Sequence, residues 1–229
     1  MRTFVVLLLL LTGLLVVADR VGVAVAEDRV ADQLVERGGL DGEPEVDITG
    51  FPFLTQAVAG RYDEVRIQLT AEELGQPAGT SADVALRGVE VPLSDVLSGS
   101  VQEIPVERVD GTAMLSYELL SEQLGGDATL APAADGLQIT RTVEVLGAQV
   151  PLSATGTLTL DGQVLVVDVD EASAAGVELP AFVVDRAADL LDFRYSVPEL
   201  PFGLELTAVD ARDDGVQVRV AATDTVLRG

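Results

Sequence analysis

The chain has 229 residues, room for one large domain or two small ones, and a formal net charge of −24. It contains no histidine, cysteine, tryptophan or lysine, so all 14 basic residues are arginine. This balance excludes a nucleic-acid footprint and electrostatic adhesion to anionic head groups, so any lipid contact must be apolar and local. It also removes disulfides, lipoprotein anchoring, thiolate chemistry, histidine triads, serine–lysine dyads and ordinary zinc sites.

The opening, MRTFVVLLLLLTGLLVVADR, carries Arg2 and then an apolar run from Phe4 to Val17, broken only by Thr12 and Gly13. That run is shorter than the roughly 20 residues that span a bilayer and has the length of a signal-peptide core. Ala24-Val25-Ala26 offers a small-residue cleavage site, while a hydrated break at Asp19-Arg20 followed by more helical sequence points to an uncleaved anchor. Residues 1–26 are therefore read as an export signal or N-terminal membrane anchor. Residues 27–229 are read as a single domain in the periplasm or cell envelope.

VAVAEDRVADQLVERGG predicts an amphipathic helix with Val23, Ala26, Val30 and Leu34 on one stripe, ended by Gly38-Gly39. DGEPEVDI reads as a turn-rich link to Phe51, Pro52, Phe53 and Leu54. A strand is expected at 62–70, with Val65, Ile67 and Leu69 inward, and then Thr70 and Glu73 at capping-box spacing. Beyond it, ADVALRGVEVPL, GLQITRTVEVLG and GVQVRVAA show period-two patterning. TLTLDGQVLVVDVD predicts two strands joined at Asp161-Gly162. Helices are expected in GTAMLSYELLSEQLGG, with Met114, Tyr117, Leu120 and Leu124 on one side, and in LPAFVVDRAADLLDF from Pro180.

The chain also repeats itself. GVEVPLS at 88–94 matches GAQVPLS at 147–153, and ADGLQI at 134–139 matches DDGVQV at 213–218. Two copies, about 84–145 and 146–222, predict an α+β fold in which one elongated, pseudo-duplicated antiparallel sheet curls around two or three helices.

Catalytic motifs are missing: there is no Gly-x-Ser-x-Gly elbow and no phosphate-cradling Gly-x-x-x-x-Gly-Lys loop. Paired carboxylates for glycoside hydrolysis are available in composition, yet sugar sites bring aromatic platforms, and the chain has only 3 Tyr and 6 Phe. Asp168, Asp170 and Glu171, and Asp210, Asp213 and Asp214, invite a calcium reading without matching an Asp-x-Asp-x-Asp-Gly loop; a strand end and a turn explain them. No catalytic, cofactor or metal residue is assigned. The apolar constellation carries more weight. Phe51, Pro52, Phe53 and Leu54 have a counterpart in Pro198, Leu200, Pro201 and Phe202, each set preceding a strand. They are either core plugs at sheet ends or lips and lining of an apolar cavity. An Asp at Phe53 or Phe202 separates the two: a lip residue keeps the fold and loses lipid, whereas a plug unfolds.

Taken together, the export segment, ITGFPFLTQAVAGRYDEVRI, the Pro-Leu-Ser repeats and SVPELPFGLELTAV resemble the LmeA-like phospholipid-binding family of actinobacterial cell envelopes. The most specific elements are Gly50 to Leu54 with Gly60 and Tyr62, and Pro201-Phe202-Gly203-Leu204. The resemblance implies a membrane-proximal periplasmic protein that binds phospholipid or another acyl-chain lipid. It further implies a curved antiparallel sheet with helices in its concave face, similar to tubular lipid-binding domains, and it transfers no catalytic residue and no cofactor. Three classes stand: a lipid-binding or shuttling module, a non-catalytic envelope scaffold with a solid core, and a carboxylate-based hydrolase or transferase.

Overall fold

The computed structural model describes residues 1–98, 101–123, 128–133, 136–145, 148–174, 177–178, 193–196, 200 and 203–228. The helical periodicity of the N-terminal segment runs without interruption through helix α1 (Arg2–Gly38), which stops where Gly39 donates its N–H to the Val35 carbonyl. On the expected stripe Val23 is buried and Ala26, Val30 and Leu34 are half-buried, while Ala31, off that stripe, is buried as well. Of the Asp19-Arg20 break expected to be hydrated, Arg20 is exposed but Asp19 is not, at 2% exposure.

The expected α+β, antiparallel class is present, with its strands in two sheets. After α1 come β1 (Glu45–Thr49), α2 (Phe53–Ala59), β2 (Arg61–Leu69), β3 (Ser81–Glu90), α3 (Leu93–Ser98), β4 (Glu103–Ser116) and α4 (Tyr117–Gln123). Then follow β5 (Ala128–Ala133), β6 (Gly136–Val145), β7 (Ala148–Asp161), β8 (Val164–Ala174), β9 (Val177–Glu178), β10 (Phe193–Ser196), β11 (Glu205–Ala211) and β12 (Gly215–Arg228). One sheet has the order β1-β2-β3-β4-β12-β11, the other β10-β8-β7-β6-β5 with β9 on β8. Two compact units result: residues 1–69, 83–110 and 222–229, and residues 70–82 and 111–221.

In the first unit, DGEPEVDI is not all link, because Glu45–Thr49 forms β1 and pairs with β2 from Glu45↔Gln68 to Thr49↔Glu64. Val46 and Ile48 alternate inward among acidic neighbours, too short a pattern to stand out from the surrounding turn residues. Val65 of β2, Leu86 and Val89 of β3, and Val106 and Val109 of β4 are buried too. On the hydrated side Arg87 bridges two carboxylates, with Nε donating to Glu64 at 2.7 Å and Nη1 to Asp110 at 2.7 Å. Arg87 and Arg66 hold the Glu64 carboxyl below its ordinary value, and Arg108 followed by Arg87 does the same for Asp110.

That network sets a pH dependence. A carboxylate whose pKa is depressed by folding stabilises the fold above its unfolded pKa, and the contribution disappears as the pH falls through the folded value. Acid also relieves the self-repulsion of a chain of charge −24, which acts in the opposite direction. The difference between wild type and Arg87→Met removes that shared term. Thermal melts from neutral pH downward are expected to show the wild type more stable near neutrality, with the gap closing below the ordinary carboxylate range. An unchanging gap would deny the two ion pairs any part in stability.

In the second unit, Leu206, Val209 and Val216 form a buried cluster against which Tyr117, Leu120, Leu158 and Leu160 pack. The helix expected from Gly111 starts only at Tyr117, since Gly111 to Ser116 continue β4. Gly111 and Thr112 are poor helix formers, and neighbouring strands supply hydrogen bonds that an isolated turn lacks. Ser116 marks the switch: its Oγ accepts the Leu119 N–H at 3.2 Å while the Thr80 hydroxyl donates to it at 3.2 Å. Of the expected inner face, Tyr117 and Leu120 do pack on the cluster, Met114 belongs to the strand, and Leu124 lies outside the described residues. Ser116→Ala is expected to lower stability by about 1–2 kcal/mol in a urea titration, through loss of the cap inside a buried hydroxyl pair. A loss within error would show that Thr80 alone suffices.

The hairpin turn also shifts by one residue: Asp161 pairs with Val164, leaving Gly162 and Gln163 as the loop. Gly162 has φ 63, which a two-residue turn with glycine first requires. The repeated Pro-Leu-Ser takes two conformations. Pro92 precedes α3, whereas Pro151 lies within β7, opposite Thr142 of β6. The β7–β8 register begins at Leu152, so Pro151 is paired only on its β6 side among the described residues. In the two similar hairpins, Gly136 and Gly215 each open the second strand. A Cβ at either would strike a backbone carbonyl, of Gly156 and of Leu115 respectively. The helix expected from Pro180 lies outside the described residues.

Candidate functional site

The Phe cluster is organised by a turn that only glycine can make. Gly50 has φ 103, and a Cβ there would collide with the Gln56 side-chain amide and lie 2.8 Å from Asp63 Oδ2. Gln56 is held on both sides: its Oε1 accepts the Asp63 N–H at 2.8 Å, and its Nε2 donates to the Thr49 carbonyl at 3.2 Å. This buried amide ties α2 to the β1–β2 hairpin. The Phe51–Pro52 peptide bond is cis.

The helix α2 itself was not read from the sequence. The signal was Pro52 followed seven residues after Phe53 by Gly60, the punctuation of a short helix, obscured by the strand pattern just beyond. Its faces separate the candidate residues. Phe53 is 5% exposed and its ring centroid lies 6.1 Å from that of Tyr62, whose phenol burial pushes up in pKa. Phe51 is 65% exposed, Leu54 37% and Val58 77%; Pro52 is exposed too. Leu54 and Val58 are one turn apart and share a face of the helix.

The N-terminus of α2 has no cap of its own, because Pro52 occupies the capping position. Asp19 of α1 supplies one across the tertiary contact, accepting the Leu54 N–H on Oδ1 at 2.9 Å. Its other oxygen takes a 2.9 Å hydrogen bond from Arg20, whose guanidinium carbon stands 5.2 Å above the centre of the Phe51 ring. Gly22 permits the approach: at the position of a Cβ there, Leu54 Cδ2 is 3.4 Å away and the Phe53 ring 3.5 Å. One turn further on, Glu27 accepts the Ile48 N–H of β1 at 2.8 Å. Sequence reasoning did not single out Gln56 and Val58, and it took Asp19 only as a hydrated break. An acid immediately after an apolar run reads as a span boundary, and its partner is 35 residues away.

Of the downstream set, Leu200 is half-buried, and Pro198, Pro201 and Phe202 lie outside the described residues. The second unit contains a cleft of about 350 Å³ lined by Pro132, Leu158 and Val209 together with Asp210, Arg212 and Asp213. Asp210 is engaged by Arg219 at 2.6 Å, and Tyr117 donates to the Arg212 carbonyl at 2.7 Å. Among the described residues no group of three or more acids is placed to hold a metal ion.

Fold and site define an antiparallel α+β protein with an apolar N-terminal helix and a candidate site whose chemistry is apolar contact beside a single guanidinium. A family model of LmeA-like phospholipid-binding proteins matches residues 17–221, and the chain belongs to that family. No curated protein and no solved structure matches the chain.

Proposed function

We propose that this protein is exported to the periplasm or cell envelope, where it holds or shuttles a phospholipid in an apolar cavity for envelope maintenance. Membership of a phospholipid-binding family supports the ligand class. The observation on which the site reading rests is the exposed apolar surface of Phe51, Leu54 and Val58, beyond the apolar N-terminal helix, on a chain of net charge −24. Monomeric soluble surfaces seldom gather large apolar side chains without a partner. In this reading Phe51, Pro52 and Leu54 form one lip, with Phe53 beneath it. Pro198, Leu200, Pro201 and Phe202 form a second lip or lining. The role assigned is binding, with no catalytic step and no cofactor.

The test is native mass spectrometry on the full chain, extracted in mild detergent and washed free of bulk lipid. A one-to-one adduct of phospholipid mass is expected, and it should be lost on competition with excess detergent. A bare protein mass that also fails to gain added phospholipid would sink the carrier reading. It would favour the scaffold with a solid core, whose ligand is another protein.

A further inference from the structure

We propose that α1 is retained after export and that the exposed apolar side chains of α2 and of the turn before it, Phe51, Leu54 and Val58, dock on the outer boundary of the same bilayer that α1 crosses. The proposal rests on the envelope location proposed above but does not require a held lipid.

Retention follows from what α1 does beyond its apolar run. Cleavage after Ala26 would remove Asp19, the cap of α2. It would also remove Gly22 and Val23, which cover Phe53 and the core. A signal peptide is discarded and makes no such contacts with the body it delivers. The family match begins at residue 17, so the matched stretch contains Asp19 and the whole of α1 beyond the apolar run.

Docking follows from length. Phe4 to Val17 rise about 21 Å at 1.5 Å per residue, some 9 Å short of a hydrocarbon core of about 30 Å. Closing that gap draws Ala18 to about Arg20 and beyond into the boundary, and Val21 and Val25 are indeed apolar and exposed there. A bare carboxylate at that depth would be costly. Asp19 is not bare: the α2 backbone and Arg20 satisfy it, and it is 2% exposed. The element that shields Asp19 must then lie at the same depth as Asp19. That element is α2, and the large apolar side chains left uncovered on it and on the turn before it are Phe51, Leu54 and Val58. Arg20, long enough to reach outward, sits on Phe51 at the level where phosphate groups begin.

The chain has no tryptophan, so Phe51→Trp introduces a single reporter. The full chain carrying it is reconstituted into phosphatidylcholine vesicles with and without lipid brominated near the top of one acyl chain. The expected emission is blue-shifted and quenched about twofold or more, as a position within about 5–10 Å of the headgroup boundary requires. Water-like, unquenched emission would overturn docking. Blue-shifted emission that bromolipid leaves unchanged, from a protein that cross-links as a dimer, would also overturn it and assign the face to a second copy. Adding Asp19→Ala should reduce the quenching while the chain still floats with the vesicles; undiminished quenching would remove Asp19 from the proposal. Where that variant misfolds, the Phe51→Trp result alone decides. Intact mass of the exported protein should begin at or near Met1, and a mass beginning at residue 27 would overturn retention. Quenching without a lipid adduct in the native spectrum leaves docking standing and removes the held lipid. An adduct without quenching does the reverse.

Discussion

Phe53→Asp is expected to leave the first unit unfolded at room temperature, whereas Phe51→Asp, two residues away, should melt close to wild type. Phe53 is 5% exposed and packs against Tyr62 and α1, so truncation to alanine alone would cost about 3–5 kcal/mol. An unpaired carboxylate in that place adds several kcal/mol more, against a total stability of about 5–15 kcal/mol for a domain. Phe51, 65% exposed, loses its contact with Arg20, about 0.5–1 kcal/mol, and the substitution places a carboxylate beside that guanidinium in return. Circular dichroism melts of the two variants read the contrast directly. Vesicle flotation should then show the folded Phe51→Asp protein less firmly attached. Equal melting of both would show that Phe53 is no more part of the core than Phe51, and the division of the cluster into a buried and an exposed aromatic would fail.

Gly50→Ala should be the second most damaging change, although it adds a single methyl. The backbone there sits at φ 103, where a side chain costs about 1–3 kcal/mol. The new Cβ also meets the Gln56 amide, which cannot step aside without giving up both of its hydrogen bonds. Losing that buried amide's partners adds about 1–3 kcal/mol, for a combined loss of roughly 2–6 kcal/mol. Urea unfolding measures it. If Gln56→Leu in the Gly50→Ala background costs nothing further, the clash acts through Gln56. If the two losses simply add, it does not.

Much of the strand framework was legible because one face of each strand is buried and the other wet. Val65, Ile67 and Leu69 alternate for that reason, and the Thr70–Glu73 spacing became a real contact, with Glu73 accepting the Thr70 N–H at 2.5 Å. The elements that were misjudged are those whose choice of structure depends on distant partners. Gly111 to Ser116 carry a sequence that either a helix or a strand can use, and the neighbouring strands of the sheet decide for strand. Pro-Leu-Ser appears twice and folds two ways, because Pro151 lies beside β6 while Pro92 leads into a helix. Short β1 and α2 fell below the length at which periodicity separates from noise.

Composition by itself determined that this protein is acidic, free of thiol and imidazole chemistry, and led by an apolar segment. Those are properties of residues one at a time, independent of where the chain goes. The tertiary structure decided what the Phe cluster does. Gly50 bends the chain so that Phe53 turns inward and Phe51 outward, a distinction invisible in Phe-Pro-Phe because both rings are equally apolar. It also changed the meaning of Asp19. In the sequence, that carboxylate marks the water-facing end of an apolar run. In the fold it is buried, because a helix beginning at Phe53 has amides to satisfy and a proline where its own cap would be.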